Sequence, residues 1–181
     1  MKLLVYGRGK TGKTMLFATF PKPALLIGTE DGTLSVSNVE GLDFIRLRAS
    51  SEITELREYV IENEYASVCL DTAGGLQDMI LAEILQLDEV PIQRTWGMAK
   101  QKDWGTCGIQ LKGRMSELLS LADQGHCEVM VIAHERQFGD DDNSDIMTPT
   151  VGAALSPNAA GWLNGAADYV CQTYILSLIH I

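Results

Sequence analysis

Lys2-Leu3-Leu4-Val5-Tyr6, then Gly7-Arg8-Gly9-Lys10-Thr11-Gly12-Lys13-Thr14, then Met15-Leu16-Phe17-Ala18: this opening stretch sets the architecture of the whole chain. Gly7 to Thr14 match G-x-x-x-x-G-K-[ST] at every fixed position, and the motif stands where it must, between an apolar strand and a helical run. Glycines let consecutive backbone N–H groups turn inward around phosphate oxygens, and the start of the following helix adds a favourable dipole. In this pattern Lys13 reaches the outer phosphates of a nucleoside triphosphate and the Thr14 hydroxyl ligates Mg²⁺. The expectation is that Gly7, Arg8, Gly9, Lys10, Thr11, Gly12, Lys13 and Thr14 bind ATP or a close relative. A chance glycine-rich turn is the alternative.

Working outward, short β-rich apolar runs alternate with longer stretches of helical periodicity. The runs are Lys2–Tyr6, Ala24–Gly28, Phe44–Leu47, Ser67–Leu70, Val129–Ala133 and Tyr169–Ile175. Val68-Cys69-Leu70 and Val129-Met130-Val131-Ile132 are apolar without alternation, as in strands covered on both faces. Glu52–Glu64 places Ile53, Leu56, Val60 and Ile61 on one helical face behind a Ser51 cap. Leu76–Leu87 and Ile109–Ala122 repeat that pattern. The alternation predicts an α/β fold, with a mostly parallel central sheet flanked by helices. Pro91–Gly108 and Gln137–Gly165 break the rhythm and read as long loops, of the kind that are functional or mobile.

The 181 residues, 46% apolar and 21% charged, suit one well-buried domain over residues 1–175. No apolar run approaches the roughly 18–20 residues needed to cross a bilayer, so no membrane role is expected. Met1–Gly7 does not read as a secretory signal. Four cysteines, Cys69, Cys107, Cys127 and Cys171, are widely spaced. Those in apolar runs, Cys69 and Cys171, read as buried thiols, and the whole fits a reducing cytoplasm. The last residues, 176–181, end abruptly on apolar side chains. They resemble a translated sequencing adapter and are expected to be a non-native tail on a C-terminally truncated chain, with a genuine terminal strand as the alternative. The formal charge of −10 gives no global attraction to nucleic acid, though local basic loops could still bind it.

Three further residues complete a candidate catalytic set with Lys13. Ser67-Val68-Cys69-Leu70-Asp71 is an apolar strand ending in a carboxylate, the Walker B position, where Asp71 would hold Mg²⁺ together with Thr14. Thr72, not a glutamate, follows it, so a general base must come from elsewhere. Ala24–Glu30 is a strand delivering a carboxylate at its C-terminal end. In a parallel sheet those ends line one ligand-binding edge. Glu30 could polarise the attacking water, although Glu30-Asp31-Gly32 also reads as a polar turn. His134 closes Val129–Ala133 and reaches the same edge, where an imidazole could sense the γ-phosphate.

With these elements in place the chain resembles the RecA-like P-loop ATPases, and more narrowly the short phage-encoded nucleotide-binding proteins of single-strand DNA recombination and annealing. The resemblance covers about residues 1–175. It rests on the phosphate loop, Glu30 after the second strand, Asp71-Thr72, Trp104-Gly105 before the long helix, His134-Glu135, and Ala167-Asp168-Tyr169 before the last strand. It implies ATP hydrolysis with Mg²⁺, location in the host cytoplasm if phage-encoded, and a homo-oligomer. It also implies single-stranded DNA bound by the loops after the Walker B and sensor strands. In the first of these, Arg94, Trp96, Lys100 and Lys102 could screen phosphates and stack on bases, whereas Trp104 reads better as a packing anchor. The second carries Asp140, Asp141, Asp142 and Asp145, which would repel DNA. Arg136 and Lys112 are candidates for a trans-acting finger. The alternative class is a small nucleotide or metabolite kinase, but kinase lids bring several arginines over phosphates, and residues 137–165 contain none. A slow ATP-gated assembly factor is the third class.

Overall fold

The structure, a computed structural model, describes residues 1–30, 36–90, 97–137 and 151–176. Five of the six mutually parallel strands are β1 (Lys2–Gly7), β2 (Ala24–Gly28), β3 (Leu42–Arg46), β4 (Ser67–Asp71) and β5 (Glu128–Gln137). With β6 (Val151–Ala153) and β7 (Tyr169–Thr173) they form a seven-stranded sheet in the order β3-β2-β4-β5-β1-β7, and β6 pairs antiparallel with the end of β5. The other pairings are parallel. The expected mostly parallel α/β sheet is therefore the fold.

The unalternating runs occupy the middle of the sheet. Val68, Cys69 and Leu70 are fully buried, as are Val129, Met130 and Ile132. Side chains alternate between two cores. Val68, Leu70, Val129 and Val131 join the larger one, with Ile53 and Leu56 of α2 (Glu52–Glu62), Leu76 and Ile80 of α3 (Ala73–Ile84), Leu111 and Met115 of α4 (Gln101–Asp123) and Leu163 of α5 (Pro157–Ala166). Cys69, Met130 and Ile132 join the smaller one, with Phe17 at the end of α1 (Lys13–Phe17). At about 25 cal/mol per Å² of apolar area, a strand buried on both faces is the main source of the sheet's cohesion.

Several local expectations are corrected. Pro91–Gly108 is not loop throughout: α4 starts at Gln101, and the Lys100 N–H is capped by Asp103 Oδ2 at 2.8 Å. Gln137–Gly165 likewise contains α5, opened by Pro157 in its first turn, where the missing N–H costs nothing. Ser51 makes no side-chain cap on α2. The turn before that helix is instead held by Glu83, which accepts from Ser50 N at 2.7 Å and Ser50 Oγ at 2.6 Å. Cys171 is exposed, not buried, because β7 is an edge strand and no described element covers it. Cys69 is a buried free thiol, as expected, and so are Cys107 and Cys127, for which no burial was expected.

Candidate nucleotide site

Parallel pairing brings the C-terminal ends of β1, β2, β4 and β5 to one edge of the sheet. In register, Gly7 lies beside His134, Asp71 beside Ile132, and Gly28 beside Asp71. The strand carrying His134 thus lies between the phosphate-loop strand and the strand ending in Asp71. Glu30 follows β2 by two residues. Residues far apart in the chain converge here for a topological reason.

The loop itself is built on glycine at the points that demand it. Gly12 has φ +86°, a backbone state that side chains resist, and a Cβ on Gly7 would lie 2.4 Å from both Thr173 O and Thr173 Oγ1. Gly9 and Gly12 face open space on the side where a Cβ would project. Lys13 is only 6% exposed, and its Nζ donates to the carbonyls of Gly7 at 2.9 Å and Arg8 at 2.6 Å. Burial lowers its pKa, and the charges of Asp71 and Glu135 oppose that shift. A buried ammonium whose hydrogen bonds go to neutral carbonyls is an unfinished anion site. The residues present therefore fit a phosphate group. The helix that follows has only five residues, so its dipole is weaker than the sequence implied and the load falls on Lys13 and the backbone.

Thr14 Oγ1 donates to Asp71 Oδ2 at 2.7 Å, joining the loop to the end of β4. Burial pushes the Asp71 carboxyl up. The Thr14 hydroxyl, Lys13 and His134 pull it back, and Glu30 pushes it further. The other three catalytic candidates therefore all act on the Asp71 carboxylate. Beneath them, Thr72 N donates to Thr29 Oγ1 at 3.0 Å, Thr29 N to Asp71 O at 2.8 Å, and Gly75 N to Thr72 Oγ1 at 3.0 Å. A Cβ on Gly75 would meet Thr29 Oγ1 at 2.0 Å. This Thr29–Thr72–Gly75 knot, which fixes the residue before Glu30 and the residue after Asp71, was missed from sequence; threonines directly after two strand ends were its only signal.

Among the described residues, no three His, Cys, Asp or Glu side chains gather as a metal cluster. Thr14 and Asp71 supply two oxygens, which suits Mg²⁺, an ion that keeps several waters and takes its remaining ligands from phosphates. An ionised Asp71 with a raised pKa costs stability above the pH near 4 at which unfolded aspartate titrates, and the cost fades as pH falls through the folded value. Asp71→Asn should therefore raise the melting temperature of the nucleotide-free protein at pH 7 by a few degrees, the scale at which roughly 1 kcal/mol registers in a chain of this size. The gain should shrink towards pH 4. A neutral-pH melting point below that of the wild type would count against the buried charge.

Elsewhere the candidates disperse. Lys100 and Lys102 are exposed at the start of α4, while Arg94 and Trp96, Asp31 and Gly32, and the acidic run 140–145 lie outside the described residues. Trp104 is half-buried against the larger core, as its packing reading expects. Together with Gln77, Arg136, Ala154, Leu155, Ser156 and Pro157 it lines a cavity of about 390 Å³. Lys112 Nζ bonds Asn158 Oδ1 at 2.7 Å, bracing α4 to α5. No helix among the described residues is long and apolar enough to cross a membrane.

No curated protein matches the chain closely enough to be called a relative. A family model does match: the AAA_24 family, described as an AAA domain, aligns with residues 1–177. That span contains the phosphate loop, Asp71 and every strand of the sheet. The chain belongs to the AAA domain family and carries its ATPase-type P-loop nucleotide-binding domain.

Proposed function

We propose that the protein is a Mg²⁺-dependent RecA-like ATPase that hydrolyses ATP to ADP and phosphate and acts in phage DNA recombination or single-strand annealing, working as a homo-oligomer. One observation carries the ATPase reading: the 2.7 Å contact from Thr14 to Asp71, with Lys13, Glu30 and His134 all bearing on that carboxylate. Lys13 holds the β- and γ-phosphates, and Thr14 and Asp71 hold the metal, which when bound neutralises phosphate charge. Glu30 accepts the proton of the attacking water. His134, whose carbonyl accepts from Ala154 N at 2.7 Å, relays the state of the γ-phosphate into the segment after β5. Thr72 in place of a glutamate after Asp71 is what turns attention to Glu30.

The DNA role is supported by the motif resemblance and by Lys100 and Lys102 standing exposed together. Single-stranded DNA should raise the hydrolysis rate about tenfold, within the roughly 5–150-fold span of ordinary site-to-site coupling. The stimulation should fall with added salt and be lost in the double variant Lys100→Ala/Lys102→Ala. The test is the ATPase rate with and without single-stranded DNA, run beside a screen of small phosphoryl acceptors. Turnover that requires an acceptor and ignores DNA would instead identify a nucleotide or metabolite kinase.

A further inference from the structure

The phosphate loop is supported from outside by residues that no part of the motif predicts, and we infer that Thr173 and Glu135 are positioning residues that make nucleotide binding depend on docking of the edge strand β7. This rests on the nucleotide-site reading of Gly7–Thr14.

Two bridges converge on the loop. Thr11 Oγ1 lies 2.7 Å from Thr173 Oγ1 and donates to Arg8 O at 2.8 Å. A hydroxyl has one proton, so Thr11 spends its own on Arg8 O and Thr173 is the donor in the pair. The rival acceptor for the Thr173 proton, Tyr6 O, is farther away at 3.4 Å. Proton counting therefore gives a directed chain, Thr173 to Thr11 to Arg8 O, which ends on the same carbonyl that accepts from Lys13. The second bridge runs through Glu135. One carboxylate oxygen accepts from Arg8 Nε at 2.8 Å and the other from Gln172 Nε2 at 3.3 Å. The Arg8 guanidinium holds the Glu135 carboxyl below the usual carboxylate range.

Both bridges lead to neighbouring residues at the end of β7. Among the described residues that strand is the outermost one on its side, and from Tyr169 to Gln172 its side chains are exposed. Its register against β1, Tyr6 beside Gln172 and Gly7 beside Thr173, sets both bridging side chains against the loop. Gly7 completes the fit: the approach of Thr173 leaves no room there for a Cβ. Because coupling between a site and a conformational equilibrium is reciprocal, a loop that needs β7 in place must, when it binds nucleotide, hold β7 in place.

The test uses the full chain with Thr173→Val, which keeps the branched shape and removes the donor, and Thr173→Ser, which restores the donor. In nucleotide-free protein, hydrogen exchange of the amides of residues 8–13 should quicken in the valine variant and stay near wild type in the serine variant. ADP affinity, read with a fluorescent ADP analogue, should fall about tenfold in the valine variant and less than twofold in the serine variant. ADP should slow exchange across residues 169–173 in the wild type. Glu135→Gln should weaken binding in the same direction. Unchanged loop exchange and unchanged affinity in Thr173→Val would overturn the inference, as would identical behaviour of the valine and serine variants. The exchange measurement needs no ligand. If the wild type bound no nucleotide, the site reading would fail while loop positioning by Thr173 was still decided.

Discussion

Lys13→Ala should lower ATP affinity by roughly 100-fold or more and remove measurable hydrolysis, the scale of about 3 kcal/mol lost when one partner of a buried charge-assisted contact is truncated. Lys13 as a residue is almost wholly buried, and the two hydrogen bonds of its ammonium go to Gly7 O and Arg8 O. Those carbonyls hold it in the loop in the absence of phosphate, and a phosphate oxygen is a far better partner than either. Folding should survive the change. A lysine whose pKa is lowered by burial subtracts stability: its proton is bound less tightly in the fold than in the unfolded chain, so the penalty grows as pH falls below the unfolded value near 10.5 and is complete below the folded value. The alanine variant should therefore melt no lower than the wild type at pH 7, even though two carbonyls lose a donor. Titration with a fluorescent ATP analogue, beside a thermal melt, separates the outcomes. Wild-type affinity in a folded Lys13→Ala protein would remove the loop from the nucleotide site.

What could be read in advance divides along physical lines. The phosphate loop was legible because its chemistry leaves few substitutes: glycine at Gly12 for positive φ and lysine at Lys13 for charge. The interior strands were legible because burial on both faces strips out polar residues, as in Val68-Cys69-Leu70. Asp71, Glu30 and His134 could be named because a parallel sheet delivers strand ends to one edge. The start of α4 was not legible: Gln101–Gly108 has only Cys107 buried, so the apolar period is absent where the helix begins. α5 was hidden by its glycine, asparagine and alanine content, which masks its buried stripe of Ala159, Ala160 and Leu163. Cys171 was misread because an apolar run does not say whether a strand is central or an edge. The supports at Thr29, Thr72 and Thr173 lie furthest from pattern reading. The Thr29 and Thr173 hydroxyls have partners distant in sequence that register alone supplies, whereas the Thr72 hydroxyl caps α3 locally at Gly75 N.

Glu30→Gln should leave ATP affinity intact or slightly tighter and reduce kcat by about 10²–10⁴-fold, the usual range for removing a positioned general base. The split follows from where the charge acts. Glu30 raises the pKa of Asp71 by repulsion, so neutralising it makes the Asp71 carboxylate a more willing metal ligand and eases the approach of an anionic phosphate. Binding gains while the step that needs a proton acceptor loses. Removal of an interaction made only in the transition state lowers kcat and kcat/KM together, whereas lost substrate binding would raise KM with kcat unchanged. The backbone on which Glu30 stands is fixed independently of its side chain, through Thr29 N to Asp71 O at 2.8 Å and the Thr29–Thr72 contacts. Glutamine is close to isosteric and should not disturb that knot, so the effect reads out the proton and not the fold. A polar turn residue at this position would show neither change. Unaltered turnover in Glu30→Gln would move the base to another group on the same sheet edge, with the nucleotide site left standing on Lys13, Thr14 and Asp71.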